Sequence, residues 1–417
     1  MSEWKRYKLS DLYEMSSGIS STKEQAGHGS PFLSFSVVFN NYFLPDSLID
    51  LMDTTDGDKQ KYSINEGDIF LTRTSETVDE LAMSSVALKD YPEASFSGFL
   101  KRLRPVDKRI VYPKFMAFYL RSPLFRRTII NNTVMTLRAS FNEAMFSYLE
   151  IMLPDFDTQK KIGDFLYSLE KKKQTNNQIN QELEAMAKSL YDYWFVQFDF
   201  PDQNGKPYKS SGGKMVYHPE LKREIPEGWG VAKLNEVVDL ISGYPFSSND
   251  YVTSGKYKLY TIKNVQDGYT VDKVDNYLDF LPSNMSHECQ LRRGDLIMSL
   301  TGNVGRVGMV YEDDVLLNQR VLKLNPINKT HKSFIYSFFR SDVTKAHLEN
   351  MSTGTSQKNL SPIDIGNMMI PFPSESLLSK FLDNLNMLEN NLVENQQLTK
   401  LRDWLLPMLM NGQVKVE

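Results

Sequence analysis

EWKRYKLSDLYEMSSG, residues 3–18, and GWGVAKLNEVVDLISG, residues 228–243, are two versions of one pattern. Trp4, Lys8, Leu9 and Gly18 recur as Trp229, Lys233, Leu234 and Gly243, a constant offset of 225 positions (4 to 229). Further along, Gly67-Asp68 in NEGDIFLTRT is answered by Gly294-Asp295 in RRGDLIMSLT, and Leu153-Pro154 by Ile370-Pro371. The offset drifts to 227 at the Gly-Asp pair (67 to 294) and to 217 at the closing proline (154 to 371). Each copy then runs into a Leu- and Asn-rich stretch with helical spacing, 158–196 and 375–410. A chain of two similar modules, each followed by a similar helix, presents two related but non-identical surfaces.

At 417 residues the chain is long for one domain, and two or three are expected. Its 41% hydrophobic content is enough for proper cores. The lone cysteine, Cys289, excludes an internal disulfide framework and any cysteine-based zinc cluster, and fits a reducing compartment. The N-terminal MSEWKRYKLSDLYEM lacks the apolar core of a secretion signal, and no run approaches the ~18 apolar residues of a membrane span. The expectation is a soluble, cytoplasmic protein. Net charge is −4, yet basic residues crowd between Lys101 and Arg138, opposed only by Asp107, and more thinly between Arg292 and Lys358. Segregation of this kind suits a phosphate-facing surface, although solvated helix faces would look the same.

The pattern predicts an α+β fold: two pseudo-repeated mixed α/β modules, separated by two long helices that pair as an antiparallel coiled coil. The expected bounds are 1–154 for the first module, 155–198 for its helix, 199–225 for a linker, 226–373 for the second module and 374–417 for the second helix and tail. Strand-like runs include Phe32–Phe39, Asp68–Leu71, Ser84–Leu88, Lys258–Ile262, Asp295–Leu300, Gly308–Tyr311 and Val321–Leu324. Residues 113–131 and 332–340 have helical periodicity. Along the long helices the stripes are Ile162, Leu166, Leu169, Asn176, Ile179, Leu183, Met186, Leu190, Tyr193 and Leu378, Phe381, Leu385, Leu388, Leu392, Asn395, Leu398, Leu401, Leu405. Antiparallel pairing with Ile162 near Leu405 puts Asn176 close to Asn391 and Asn395, where buried asparagine fixes register. Pro201, Gly205, Pro207, Gly212, Gly213 and Pro219 forbid long regular elements in the linker, whose aromatic residues order it in part.

Catalytic signals are scarce. The Asn/Asp-Pro-Pro-aromatic motif of amino methyltransferases and a phosphate-binding P-loop are both missing. Gly302-Asn303-Val304-Gly305 lies between strand-like runs, which predicts a tight hairpin rather than a nucleotide-binding helix start. The five histidines are scattered, without metal-ligand spacing. Asp155, Asp157 and Asp202 faintly echo nuclease carboxylates but sit where capping and turn chemistry explain them. Polar clusters at matching places are better candidates: Thr72-Arg73-Thr74-Ser75 against Ser299 to Asn303, and Thr136 to Ser140 against Ser352 to Asn359. Arg, Lys, Asn and Gln read base edges, while Ser, Thr and backbone N–H groups hold phosphates. The candidates for DNA contact are Arg73, Thr74, Arg102, Arg138 and Ser140 in the first module, and Thr301, Asn303, Arg320, Gln357 and Lys358 in the second.

Three stretches resemble one family, the DNA-specificity subunits of type I restriction–modification enzymes. They are YDYWFVQFDFPDQNGKPYKSSGGKMVYHPELKREIPEGW (191–229), TGTSQKNLSPIDIGNMMIPFP (353–373) and LRDWLLPMLMNGQVKV (401–416). The resemblance covers the whole chain in the family's order, with SFSGFLKRLRP and TLRASFNEAMF in the first module where the second has the more typical LLNQRVLKL and TSQKNLS. It implies a non-catalytic subunit whose two target-recognition modules each read half of a bipartite, asymmetric site on double-stranded DNA. The helices are then a ruler for the unread spacer. Two modification (methyltransferase) subunits dock on them, and restriction/translocase subunits join. No cofactor or metal is expected on this chain; S-adenosylmethionine, ATP and Mg belong to the partner subunits. The alternatives are a coiled-coil scaffold without base readout, and part of a fused single-chain restriction enzyme.

Overall fold

A computed structural model of the chain describes residues 4–20, 22–133, 139–354, 358–381, 383–414 and 416. It divides into two compact units, Met1–Lys172 with Leu398–Glu417, and Lys173–Gln397.

In the first unit the main sheet runs Tyr13–Ser17, Leu100–Pro105, Ile69–Thr72, Ser84–Val86, every neighbour antiparallel. A smaller sheet joins Leu51–Met52, Ala26–Leu33 and Ser95–Phe96, the last two parallel. The second unit repeats the plan. Val238–Ser242, Val321–Pro326, Leu296–Ser299 and Val307–Met309 form its antiparallel core, extended by Gly268–Tyr269. Tyr257–Tyr260 and Val315–Leu317 run parallel in its smaller sheet. Each module is closed by its ends, Lys5–Lys8 against Glu150–Leu153 and Gly230–Lys233 against Met369–Phe372.

The repeated residues each have a physical task. Leu9 and Leu234 are fully buried, and their N–H groups donate to Leu149 (2.8 Å) and Met368 (2.9 Å). Gly67 and Gly294 hold φ of +90° and +84°, a left-handed turn that favours glycine. The following aspartates close those turns: Asp68 accepts from the Asn65 N–H and Asp295 from the Arg292 N–H, both at 2.8 Å. The strands they introduce, IFLT and LIMS, are buried along their whole length. Gly18 and Gly243 serve close approach instead. A Cβ on Gly18 would lie 2.2 Å from the Ser97 carbonyl oxygen, and one on Gly243 2.0 Å from that of Asn318.

Several local expectations change. Residues 32–39 do not form one strand: it ends at Leu33, and Phe35–Asn40 is helical. Arg121 accounts for this, because its Nη2 donates to the carbonyls of Val38, Phe39 and Asn41 (2.7, 2.9 and 3.0 Å) at the end of that turn. The 113–131 periodicity is two helices, Pro113–Tyr119 and Pro123–Asn132, with Ser122 capping the second ahead of Pro123. The linker is ordered by stacking of Phe200 on Tyr208 (4.7 Å) and Trp229 (5.3 Å), and holds a short hairpin of Met215–His218 and Arg223–Pro226.

The first long helix is Phe156–Tyr191, continued by a wider turn at Asp192–Val196. The second stretch divides into Glu375–Lys380 and Asp383–Met410. Within the second unit they pair antiparallel through amides. Asn176 Nδ2 donates to Glu394 (2.7 Å) and Asn395 (3.0 Å), and Asn391 Nδ2 to Asn180 (2.8 Å). Asn176 thus meets Asn395 as expected, but Asn391 faces Asn180. The buried stripe follows Asn176, Asn180 and Leu183, leaving Ile179, Met186 and Tyr193 exposed. On the other helix Gln396 and Arg402 are buried and Leu401 is exposed. In the first unit Ile162, Leu166, Leu406 and Leu409 share one core, and Arg402 pairs with Glu170 (3.1 Å).

Gly18→Ala and Gly243→Ala should each cost more than about 2 kcal/mol, since backbone must move to admit the methyl. Thermal melts check this, with Gly57→Ala, whose Cβ meets nothing nearer than 3.8 Å, expected to be neutral. For the helix pair, Asn391→Ala should cost about 1–3 kcal/mol by stranding the Asn180 amide. Adding Asn180→Leu to Asn391→Leu should recover most of that loss; a double-mutant cycle in denaturant reads the difference.

Candidate nucleic-acid interface

A reverse turn and two flanking strands make the same hydrogen-bonded frame in each unit. In the first, the turn Ser97–Leu100 closes through the Leu100 N–H to the Ser97 carbonyl (2.9 Å). The Ile19 N–H donates to Phe96 (2.9 Å), and the Gly98 N–H to Ile19 (2.7 Å). Arg73 N–H donates to the Phe99 carbonyl (2.9 Å), Phe141 N–H to the Arg73 carbonyl (2.9 Å), and Thr74 pairs with Ser140. In the second, Val321 N–H donates to Asn318 (3.2 Å), Tyr244 N–H to Leu317 (3.0 Å) and Gln319 N–H to Tyr244 (3.0 Å). Leu300 N–H donates to the Arg320 carbonyl (2.9 Å), Leu360 N–H to the Leu300 carbonyl (2.9 Å), and Thr301 pairs with Asn359. Bond for bond, Phe99 occupies the place of Arg320, Arg73 that of Leu300, Thr74 that of Thr301, and Ser140 that of Asn359.

This frame assembles several of the residues picked from sequence. Arg73 is exposed, with only a long contact from Nη1 to the Gly98 carbonyl (3.4 Å). Thr74 and Ser140 are half-buried beside it. Arg320 is exposed at φ +71°, its Nη1 on the Asn359 side-chain oxygen (3.1 Å). Asn303 is exposed on the hairpin between Leu296–Ser299 and Val307–Met309, where Gly302 and Gly305 take φ of +71° and +75°. The stretch 302–305 is thus a tight hairpin, as its sequence predicts. Next to it opens a cleft of about 570 Å³ lined by Gln266, Tyr269, Asn303, Arg306, Lys345 and Lys358, among others. Arg138 and Gln357 lie outside the described residues.

Two candidates are withdrawn. Thr301 is 2% exposed, its strand position consumed by pairing with Asn359. Arg102 is 8% exposed: Nη1 donates to the Ser63 carbonyl (2.6 Å), and the guanidinium lies 5.3 Å from the Phe96 ring. Burial pushes its pKa down. Its counterpart, Lys323, is equally buried against Asp295 (3.0 Å) and Glu288 (3.4 Å). Lys358 stays at the surface, but Glu349 (2.5 Å) neutralises it.

The broader basic stretch also turns inward. Lys101 donates to Ser17 (2.8 Å), Arg104 holds Asp68 (2.6 Å), and Lys114 holds Asp164 (2.7 Å). Arg126 binds the carbonyls of Leu81 and Asp79 (2.5 and 2.7 Å). Arg121 is buried far enough that its pKa falls to about 10, yet it remains a cation at neutral pH. These charges satisfy carbonyls and carboxylates that sequence cannot show to be adjacent. Exposed cations such as Arg73, Lys108 and Arg127 are a minority. The carboxylates that echo nucleases are structural: Asp155 accepts from the Thr158 N–H (2.8 Å) at the start of the long helix, which holds its carboxyl below the usual range. Asp202 accepts from the N–H groups of Asn204 and Lys206 (both 2.8 Å). Among the described residues no group of three or more His, Cys, Asp or Glu could hold a metal ion, and no helix is long and apolar enough to cross a membrane.

Phe99 escaped the sequence reading, although it is 65% exposed at the turn. Laying SFSGFLKRL over LLNQRVLKL places it opposite Arg320, but only the paired hydrogen bonds fix that register.

Two copies of one α+β module, each offering the same exposed turn-and-hairpin frame with different side chains, define a class of paired recognition modules. The family described as "Type I restriction modification DNA specificity domain" matches residues 1–185 and 226–401, and the chain belongs to it. The specificity subunit of the HindI type I restriction enzyme of Haemophilus influenzae is 24% identical over 99% of this chain and all of its own length. The MjaIX specificity subunit of Methanocaldococcus jannaschii is 27% identical over 64% of this chain and 61% of its own. The crystal structure of the type I restriction–modification S subunit from M. genitalium shares the fold, with a TM-score of 0.55 at 15% identity, covering 98% of this chain and 96% of that one.

Arg102→Met should lower stability by about 0.5–1.5 kcal/mol, because it removes one of two guanidinium donors on the Ser63 carbonyl, the other being Arg104 (3.1 Å), and should leave DNA affinity per folded molecule unchanged. Melting curves beside binding isotherms corrected for folded fraction separate the two effects.

Proposed function

We propose that this chain is the sequence-reading, non-catalytic subunit of a type I restriction–modification complex acting on double-stranded DNA in the cytoplasm. Each module reads one half of a bipartite site, and the paired helices set the unread spacer and dock two modification subunits. S-adenosylmethionine, ATP and Mg enter with the modification and restriction subunits. The observation that carries this reading is the tip itself: one hydrogen-bonded frame occurs twice, and its exposed positions carry different side chains. A shared frame with unlike tips is what an asymmetric two-part target requires, since phosphate contacts position a protein while base contacts specify. Among the described residues, Arg73, Thr74 and Ser140 in one module, and Asn303, Arg320 and Lys358 in the other, are the candidate contacts. Because most described cations between Lys101 and Arg127 are turned onto internal oxygens, that stretch should supply few phosphate contacts and add little to the salt dependence of binding.

The test is selection from a library of random duplexes by the chain assembled with its modification subunits. A bipartite motif with two unlike halves at a fixed separation is expected. Recovery of no motif would leave the coiled-coil scaffold as the better account. Methylation by the purified chain alone with S-adenosylmethionine would restore the fused enzyme.

A further inference from the structure

Residue 99 and residue 320 sit at the same point of the same frame, yet one is a phenyl ring and the other a guanidinium. Phe99 is 65% exposed, and its backbone is fixed by the Arg73 N–H and the Leu100-to-Ser97 turn. Leaving so large an apolar group in water forgoes burial that any interior position would provide. Arg320 is held at φ +71°, a conformation unfavourable for a residue with a side chain, although glycine would occupy it freely. Strain that persists at an exposed tip is found where a side chain is needed for function. Both positions therefore carry a local cost, and in each unit it falls at an exposed residue of the frame's turn.

We propose that position 99/320 is the base-discriminating position of each module: Arg320 reads the acceptor edge of guanine, and Phe99 makes apolar contact with the methyl group of thymine. This rests on the reading of the chain as a DNA-specificity subunit. The major groove presents guanine N7 and O6 as paired acceptors matched by a guanidinium, and the thymine C5-methyl as an apolar contact matched by a side chain such as Phe. With Nη1 on Asn359 (3.1 Å), the guanidinium is oriented and its remaining N–H groups are left to donate outward. Arg73 Nη1 lies 3.4 Å from the Gly98 carbonyl, placing an exposed cation at the same turn for a neighbouring phosphate. The two halves of the target would then differ in kind at the positions these residues touch: a G·C pair in one, an A·T pair in the other.

The experiment is the duplex selection above, with the chain assembled with its modification subunits, on wild type, Phe99→Ala, Phe99→Arg, Arg320→Ala and Arg320→Gly. Arg320→Gly removes the guanidinium while relieving the strained backbone, so it keeps a folded protein in the series, and melting curves confirm it. Phe99→Ala should abolish a thymine preference at one position of one half-site, by about five- to hundred-fold, and leave the other half unchanged. Both Arg320 variants should abolish a guanine preference in the opposite half alone, and Phe99→Arg should replace thymine by guanine in its own half. Unchanged motifs, an equal loss of affinity for all sequences, or both substitutions acting on the same half would each overturn the proposal. A wild-type selection without any bipartite motif would instead overturn the functional reading on which it stands.

Discussion

The turns at 97–100 and 318–321 depend on one contact that no residue with a side chain can make: the backbone at Gly18 and Gly243 lying against the carbonyls of Ser97 and Asn318. With the chain brought that close, residue 19 or 244 exchanges hydrogen bonds with the strand before the turn and with the turn itself. The turn then has no freedom to tilt. The frame is closed by backbone bonds, so the side chain at its apex can change without disturbing it. A rigid support carrying an interchangeable tip lets one fold serve different targets.

Electrostatics explains how a chain of net charge −4 offers cations outward at all. Most arginines and lysines of the dense basic stretch neutralise internal oxygens: Arg121 on three carbonyls of one helix end, Arg104 on Asp68, Arg126 on Leu81 and Asp79. These are buried or half-buried groups whose removal would leave unpaired carbonyls, so they belong to stability. Of the described cations in that stretch, only Lys108, Arg109 and Arg127 stay exposed. Such a surface favours discrimination by oriented contacts over general attraction to the phosphate backbone, which dense basic faces provide.

The repeat, the Gly-Asp turns and the central strands were legible in sequence because they rest on local chemistry. Glycine at positive φ, aspartate closing its own turn and apolar runs in central strands need no knowledge of distant partners. What was hidden depended on partners far along the chain. Phe35–Asn40 reads as strand until Arg121, more than eighty residues on, binds its carbonyls. Arg102 looks like a surface cation until Ser63 and Phe96 close over it. Phe99 looks like core until its turn is seen to face outward. Charge and hydrophobicity say what a side chain prefers; backbone topology decides whether the preference is met.

The helix pair shows the same limit, and a reason for it. Leucine spacing alone points to Ile179 and Met186 as the buried face, yet Asn180 is buried and both apolar residues are exposed. An apolar stripe tolerates sliding, since one leucine packs against another with little directional preference. Amide pairs do not: Asn180 with Asn391, and Asn176 with Asn395, bond only when both are opposite and correctly oriented. A slip by one turn would break both amide pairs and leave the buried Asn176 and Asn180 without these partners, at about 1–3 kcal/mol each. The seam therefore gives up apolar burial at Ile179 and Met186 in exchange for a single register. On the proposed function, helices that set a spacer need that property more than added stability, because a pair free to slide would hold no fixed length.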